Sequence, residues 1–152
     1  MPLLTFSIKA QSASQTKTIV KTRGFEAIVD EPEDLGGTNE GLNPVEYLLA
    51  AYAGCLNVLG HLVADEMDIT LNGLDIEIEG GLDSGKFSGE SDTERAGFQE
   101  IRVVIYPDCE AKEKDLNAWL AAIKERCPVG DNIADKTPIV TSIGERRKRM
   151  PA

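Results

Sequence analysis

Signatures of metal and nucleotide binding are missing from this sequence. The chain has one histidine and three cysteines, with no CxxC or HExxH spacing, so the usual zinc sites are not indicated. It also has no glycine-rich phosphate loop of P-loop or Rossmann spacing. We therefore expect a protein that works without a metal or an organic cofactor.

A secretion signal and a disulfide framework are missing as well. The first residues, MPLLTFSIKA, lack a basic region followed by a long apolar stretch. Three cysteines is an odd number, which argues against a secreted scaffold held by disulfides. We expect a cytoplasmic protein whose thiols stay reduced unless its chemistry uses them.

Positive charge is scarce, and the formal net charge is −10. This disfavours nucleic acid or an anionic membrane as a partner, because neutralising phosphates requires clustered Lys and Arg. The exception is the basic run Arg146–Arg149, which we interpret as a solvated chain end. Aromatic residues make up only 5% of the chain, so the core must rest mainly on aliphatic side chains.

The apolar and polar pattern predicts one α+β domain that spans residues 1–152. Strands are predicted at 3–10, 17–22, 25–30, 74–82, 98–106 and 138–143. Helices are predicted at 43–67 and 110–126, with a short turn or helix after 127–128. Strand pairs separated by helices favour a largely antiparallel sheet over a doubly wound fold.

The long helix has a clear start and an unusually apolar body. Asn43 suits the N-cap, Pro44 the first helical position, and Glu46 the reciprocal partner in a capping box. Residues 47–64 are nearly long enough to span a bilayer, but they include Asn57 and His61, and polar groups are costly there. We predict a helix buried on nearly all sides within a soluble assembly.

Two cysteines carry the candidate chemistry. Cys55 lies inside the apolar helix, and Cys127 precedes Pro128, a residue typical of the first helical position. Cys127 would then be an N-cap whose sulfur lies near free backbone N–H groups. Two such thiols can perform thiol–disulfide or peroxide chemistry, whereas the simpler alternative is a pair of small buried side chains. Cys109 lies between two acidic residues that oppose a thiolate, and we assign it no role.

A reactive thiolate at Cys55 needs a cation from elsewhere, because this residue is far from its helix N-terminus. Our candidate is Arg23, which lies in the apolar context TRGFEAIV, although a surface arginine in a turn is the alternative. The other arginines considered are Arg95, Arg102 and Arg126. A metal site with His61 is disfavoured, since six positions place it about 240° from Cys55 around the helix. We interpret His61 as a packed or capped histidine.

Two segments of the chain together resemble the OsmC/Ohr family. The first is DEPEDLGGTNEGLNPVEYLLAAYAGC, which ends at Cys55, and the second is CPVGDNI, whose cysteine follows 72 residues later. These are the osmotically induced and organic hydroperoxide resistance proteins. The resemblance implies an intertwined homodimer in which antiparallel sheets wrap around long central helices. It also implies that Cys55 attacks a hydroperoxide and becomes a sulfenic acid, which Cys127 resolves as a disulfide. An arginine, here Arg23, would support the thiolate.

One position departs from the family pattern. Peroxidase members read NPE, whereas this chain has Val45 at that point, and its acid is Glu46. Glu46 lies nine residues before Cys55, roughly half a turn away around the helix, so it cannot replace that carboxylate. The chain is therefore similar to a general OsmC-like branch.

Two functions remain open at this stage. The first is a thiol-dependent peroxidase that reduces organic hydroperoxides and is regenerated by a thiol reductant. The second is a non-catalytic dimer that binds a small hydrophobic or thiol-reactive ligand, which the missing acid at Val45 favours. A redox-sensing partner is a third possibility without a sequence feature of its own.

Overall fold

The computed structural model describes residues 2–93 and 95–144, and the basic run Arg146–Arg149 lies outside them. Within the described residues, five strands form two antiparallel sheets, accompanied by four α-helices and a 3₁₀ helix at Glu33–Leu35. The strands are β1 Lys9–Ser12, β2 Thr18–Thr22, β3 Phe25–Val29, β4 Gly73–Gly81 and β5 Glu100–Asp108. The helices are α1 Pro44–Glu66, α2 Gly85–Ser88, α3 Glu113–Arg126 and α4 Pro128–Ala134. The α+β class with antiparallel sheets and a long helix is confirmed.

Helix α1 begins where the capping residues predict. The Asn43 side chain accepts the Glu46 N–H at 2.9 Å, and the Glu46 carboxylate accepts the Asn43 N–H at 2.9 Å. This capping box satisfies two backbone donors that the first helical turn leaves free. Glu46 is thereby committed to the helix start.

The two sheets are hairpin structures that share no strand. In the first, β2 lies between β1 and β3, with Lys9 opposite Lys21 and Ser12 opposite Thr18. In the second, β4 and β5 pair over nine residues each, and alternate side chains of β5 are half-buried. That alternation is the signature of a sheet with one face on a core.

The core lies between α1, α3 and the second sheet. Trp119, 3% exposed, donates its indole N–H to the Gly60 carbonyl at 2.8 Å. A β-carbon at Gly60 would lie only 2.7 Å from a Leu74 methyl, so glycine lets β4 approach α1 closely. The buried apolar side chains of this core are Leu56, Leu59, Val63, Ala64, Trp119, Ile123 and Cys127.

Two predicted strands are wrong in whole or in part. The first strand covers Lys9–Ser12 and pairs with residues 18–21 of β2, whereas residues 3–8 form no strand. Residues 138–143 form no strand, since no described strand of the same chain pairs with them. Their large apolar side chains, Ile139, Val140 and Ile143, are exposed.

Within the single chain α1 is buried on one side only, so its burial on nearly all sides within an assembly stays a prediction. One face packs in the core, but Leu48, Val58 and Leu62 are 42%, 65% and 45% exposed. Among the described residues, α1 is the one helix long and apolar enough to cross a membrane by length and composition alone. A core helix of a soluble protein passes the same test, so this is weak evidence for a membrane span.

Candidate active site

The structure brings the two predicted cysteines together. The Sγ atom of Cys127 lies 3.0 Å from the Sγ atom of Cys55, in a thiol–thiol hydrogen bond. Both are free thiols, with Cys127 buried and Cys55 half-buried. A disulfide bond measures about 2.05 Å, so only a small movement separates the two thiols from a covalent bond.

Cys127 is held by the start of α4. It is the N-cap residue, Pro128 follows at the first helical position, and the Cys127 sulfur accepts the Gly130 N–H at 3.2 Å. Cys127 also ends α3, so the break between two helices orients its side chain toward α1. The predicted N-cap position of this cysteine is confirmed.

The immediate surroundings of Cys55 favour its neutral form. Burial raises the pKa of the Cys55 thiol, and the hydrogen bond with Cys127 raises it further. A hydrogen bond from the Val129 backbone acts in the opposite direction. Within this chain, Cys55 therefore still needs the positive charge that the sequence predicted it would have to import.

Arg23 is not brought to the thiols within the single chain. It lies in the turn between β2 and β3, with a φ of 49°, and its guanidinium stands 5.5 Å from the centre of the Phe25 ring. Among the described contacts it hydrogen bonds to neither Cys55 nor Cys127. Arg126 is also occupied, because it forms a two-point ion pair with Glu66.

The face of α1 that carries Cys55 continues into an apolar cavity. Val45 and Leu48 share this face, and they line a cavity of about 480 Å³ together with Val129 and Ile133. The β4–β5 connection and β5 form another part of the cavity wall, with Arg95, Gly97, Phe98, Gln99, Glu100 and Ile101. Val129 therefore belongs both to this cavity and to the surroundings of the Cys55 sulfur.

Tyr52 is a site residue that the sequence reasoning missed. It lies three residues before Cys55, hence on the same face of α1, and its ring packs against Gly130. Burial raises the pKa of Tyr52, and the nearby charges of ionised Cys127 and Cys55 raise it further. The sequence signal that could have identified Tyr52 is its three-residue spacing from Cys55, which places both residues on one helix face.

Asp30 was missed as well, and no local pattern could have revealed it. It is 0% exposed, and it accepts hydrogen bonds from Thr38 Oγ1 and from the backbone N–H groups of Glu31, Thr38 and Glu40. These hydrogen bonds, of which the one from the Thr38 hydroxyl has the largest effect, hold the pKa of the Asp30 carboxyl well below its usual range. Asp30 thereby orders the loop that leads from β3 into α1.

The remaining candidates lie outside the thiol pair. His61 is exposed on α1 within the single chain, so the expectation of a packed or capped histidine stays a prediction. Cys109 is half-buried just after the end of β5. No group of histidine, cysteine and acidic residues that could hold a metal ion occurs in the described part of the chain.

Solved structures with this fold come from several bacteria. An OsmC-like protein from Mycoplasma pneumoniae is 20% identical, with a TM-score of 0.75, and the match covers 86% of this chain and 88% of that one. A Legionella pneumophila protein described as an organic hydroperoxide resistance protein OsmC is 22% identical, with a TM-score of 0.62, covering 88% and 91%. An organic hydroperoxide resistance protein from Elizabethkingia anophelis is 20% identical, with a TM-score of 0.60, covering 87% and 90%.

The sequence itself matches a family model described as OsmC-like protein over residues 37–142. No curated protein matches the sequence. The matched range includes α1, the second sheet and both cysteines of the thiol pair. The chain therefore belongs to the family of OsmC-like proteins.

Proposed function

We propose that this protein is a thiol-dependent peroxidase that reduces organic hydroperoxides in the cytoplasm and is regenerated by a dithiol reductant. The observation that carries the proposal is the 3.0 Å separation of the Cys55 and Cys127 sulfurs. A thiol next to a reactive cysteine can capture its oxidised form before further oxidation. Membership in a family that includes organic hydroperoxide resistance proteins supports the same chemistry.

The proposed cycle has two bond exchanges in the protein. The Cys55 thiolate attacks the terminal peroxide oxygen, an S–O bond forms, the O–O bond breaks, and the alkoxide leaves and takes up a proton. The Cys127 thiolate then attacks the Cys55 sulfenic acid, an S–S bond forms, and hydroxide leaves and becomes water. A dithiol reductant returns both cysteines to thiols and is itself oxidised to a disulfide.

The cavity beside the thiols supports an organic rather than an inorganic peroxide. Val45, Leu48, Phe98, Ile101, Val129 and Ile133 supply an apolar lining to about 480 Å³. Such a lining favours a hydrocarbon group, because burying it away from water is worth about 0.8 kcal/mol per methylene. Hydrogen peroxide has no hydrocarbon group and would gain nothing from these apolar side chains.

A homodimer is part of the proposal, since the single chain leaves an unusually large surface uncovered. Its accessible area is 12538 Å², whereas a compact monomer of 16.5 kDa exposes about 7,500 Å². Exposed apolar side chains at 3–8, on α1 and at 139–143 account for part of the excess. Pairing two chains would cover them, and it offers a route by which Arg23 reaches a Cys55 thiolate.

The test uses the three cysteines of the chain, each replaced by serine. Cys55→Ser should lower the consumption of cumene hydroperoxide in the presence of a dithiol by about 10³-fold or more, because the nucleophile is lost. Cys127→Ser should still react once and accumulate a sulfenic acid that dimedone traps at Cys55. Cys109→Ser is the matched control and should behave as the wild type.

The proposal fails if the wild type and Cys55→Ser consume the peroxide at the same rate. It also fails in its second step if the oxidised wild type contains no Cys55–Cys127 disulfide in a peptide map. Both measurements use the full-length chain.

The second candidate function is a non-catalytic dimer that binds a small hydrophobic ligand. The observation in its favour is the raised pKa of Cys55 beside an apolar cavity in which Val45 replaces the acid of peroxidase members. This function predicts a ligand retained in native mass spectra together with no Cys55-dependent peroxide consumption.

A further inference from the structure

Among the three tyrosines of the chain, Tyr52 differs in its hydroxyl group. The Tyr47 hydroxyl donates to the Ile28 carbonyl at 2.8 Å, and the Tyr106 hydroxyl donates to Glu77 at 3.1 Å. No hydrogen bond from the Tyr52 hydroxyl to any described residue occurs in the chain. A half-buried phenol without a protein partner retains its capacity to donate a hydrogen bond to a ligand.

The position of this hydroxyl relates it to the thiols. A β-carbon built on Gly130 would lie 3.4 Å from the Tyr52 hydroxyl oxygen and 3.5 Å from the Cys127 β-carbon. The absence of that carbon at Gly130 leaves room for the phenol beside the resolving cysteine. Tyr52 and Cys55, three residues apart, project from neighbouring positions of one face of α1.

Tyr52 also lines a cavity. This cavity has a volume of about 460 Å³, and Leu56, Ile101 and Trp119 line it as well. A hydroperoxide whose hydrocarbon group occupies this cavity can place its oxygen atoms beside the phenol.

We propose that the Tyr52 hydroxyl is the hydrogen-bond donor that stabilises the departing alkoxide in the first step. This rests on the proposed peroxidase function. The Cys55 thiolate takes the terminal oxygen, the O–O bond breaks, and the alkoxide oxygen receives the phenol proton and leaves as the alcohol. A proton taken up from bulk solvent then restores the Tyr52 phenol, so the step consumes one solvent proton overall. Burial, the largest cause, raises the pKa of Tyr52, so at neutral pH its phenol is protonated, as an ordinary tyrosine is, and can donate a hydrogen bond.

The role answers the departure at Val45. The α1 side chains Val45 and Leu48 are apolar and donate no hydrogen bond, whereas Tyr52 on the same helix face carries a hydroxyl beside the thiol pair. A single well-placed donor to a developing oxyanion is worth about 10²- to 10³-fold in rate in other enzymes.

The experiment compares two peroxides that differ in the basicity of the leaving group. Pre-reduced wild type and Tyr52→Phe are mixed with tert-butyl hydroperoxide, which releases an alkoxide, or with peracetic acid, which releases acetate. The measured quantity is the single-turnover rate constant of Cys55 oxidation without reductant. We expect Tyr52→Phe to lose about 10²-fold with tert-butyl hydroperoxide and less than about 3-fold with peracetic acid, because acetate needs little stabilisation.

Tyr106→Phe is the matched control, since it also removes one phenol hydroxyl but on the exposed face of the β4–β5 hairpin. It should match the wild type with both peroxides. If the rate constant of Tyr52→Phe falls equally with both peroxides, the role of Tyr52 is merely structural and the inference is overturned. The inference is also overturned if the rate constant with tert-butyl hydroperoxide does not fall. If the wild type itself shows no Cys55-dependent reaction with either peroxide, the peroxidase proposal fails first and the role of Tyr52 fails with it.

Discussion

At the residue scale, the site has a defined thiol pair and an undefined cation. Cys55 and Cys127 are in contact, yet burial and that contact raise the pKa of Cys55. A thiol must ionise to attack a peroxide, so this chain alone holds the less reactive form. The cation predicted from the sequence, Arg23, stands over Phe25 in an exposed turn.

The Arg23 role leads to a prediction about pH. A raised pKa means that the thiolate of Cys55 forms only as the pH rises above the ordinary thiol range, near about 8.5. A guanidinium within about 4–6 Å would lower that pKa by roughly 1–3 units. We therefore expect Arg23→Met to shift the midpoint of Cys55 alkylation by iodoacetamide upward by at least about one pH unit relative to the wild type.

The control for this shift is Arg102→Met, because Arg102 pairs with Glu100 and Glu79 on the exposed side of its hairpin. Its alkylation midpoint should equal that of the wild type. The measurement follows Cys55 by peptide mass spectrometry between about pH 6 and pH 10. If Arg23→Met and the wild type have equal alkylation midpoints, Arg23 does not lower the pKa of Cys55 and its role is confined to the β2–β3 turn.

At the element scale, the sequence predicted structure well where the signals are local. The start of α1, the N-cap at Cys127 and the β4–β5 hairpin follow from capping residues and alternation within a few positions. The Asp30 cluster was not predictable, because Asp30 and Thr38 are eight residues apart in a loop without periodicity. Residues 138–143 look like a strand, but a strand also needs a neighbour, and sequence periodicity does not supply one.

The packing of α1 on β4 and α3 yields a second prediction. A methyl group at Gly60 would lie 2.7 Å from a Leu74 methyl and 3.4 Å from the Trp119 ring. We expect Gly60→Ala to lower the free energy of unfolding by about 1–3 kcal/mol through overpacking, despite the better helix propensity of alanine. Urea unfolding followed by the fluorescence of Trp119, the single tryptophan, measures the change.

Gly81→Ala is the control for Gly60→Ala. Nothing lies within 4 Å of a β-carbon at Gly81, at the end of β4, so its effect should stay within about 0.5 kcal/mol. Equal stability of Gly60→Ala and the wild type would mean that α1 and β4 can separate without cost. The close approach at Gly60 would then not be required for the fold.

At the scale of the whole molecule, one stripe of α1 stays exposed in the part of the chain that the structure describes. Ala51, Gly54 and Val58 recur at spacings of three and four and are exposed, and Leu48 and Leu62 continue the stripe toward either end. An apolar stripe with this spacing is the surface by which one helix packs against another. Cys55 borders the stripe, so a second chain that covers it would also change the surroundings of the reactive thiol.

This stripe leads to the prediction about assembly. Val58→Asp places a charge on the most exposed large side chain of α1, which would have to be desolvated between two packed helices. We expect the wild type to sediment at twice the chain mass of 16.5 kDa and Val58→Asp to sediment as a monomer. Peroxide reduction should fall when the dimer is lost, since Arg23 would lose its route to Cys55.

The control is Phe87→Asp, which changes a side chain that is 90% exposed in α2. This variant should remain dimeric and active. If the wild type sediments at 16.5 kDa, no second chain covers the stripe. Arg23 would then have to reach Cys55 within one chain.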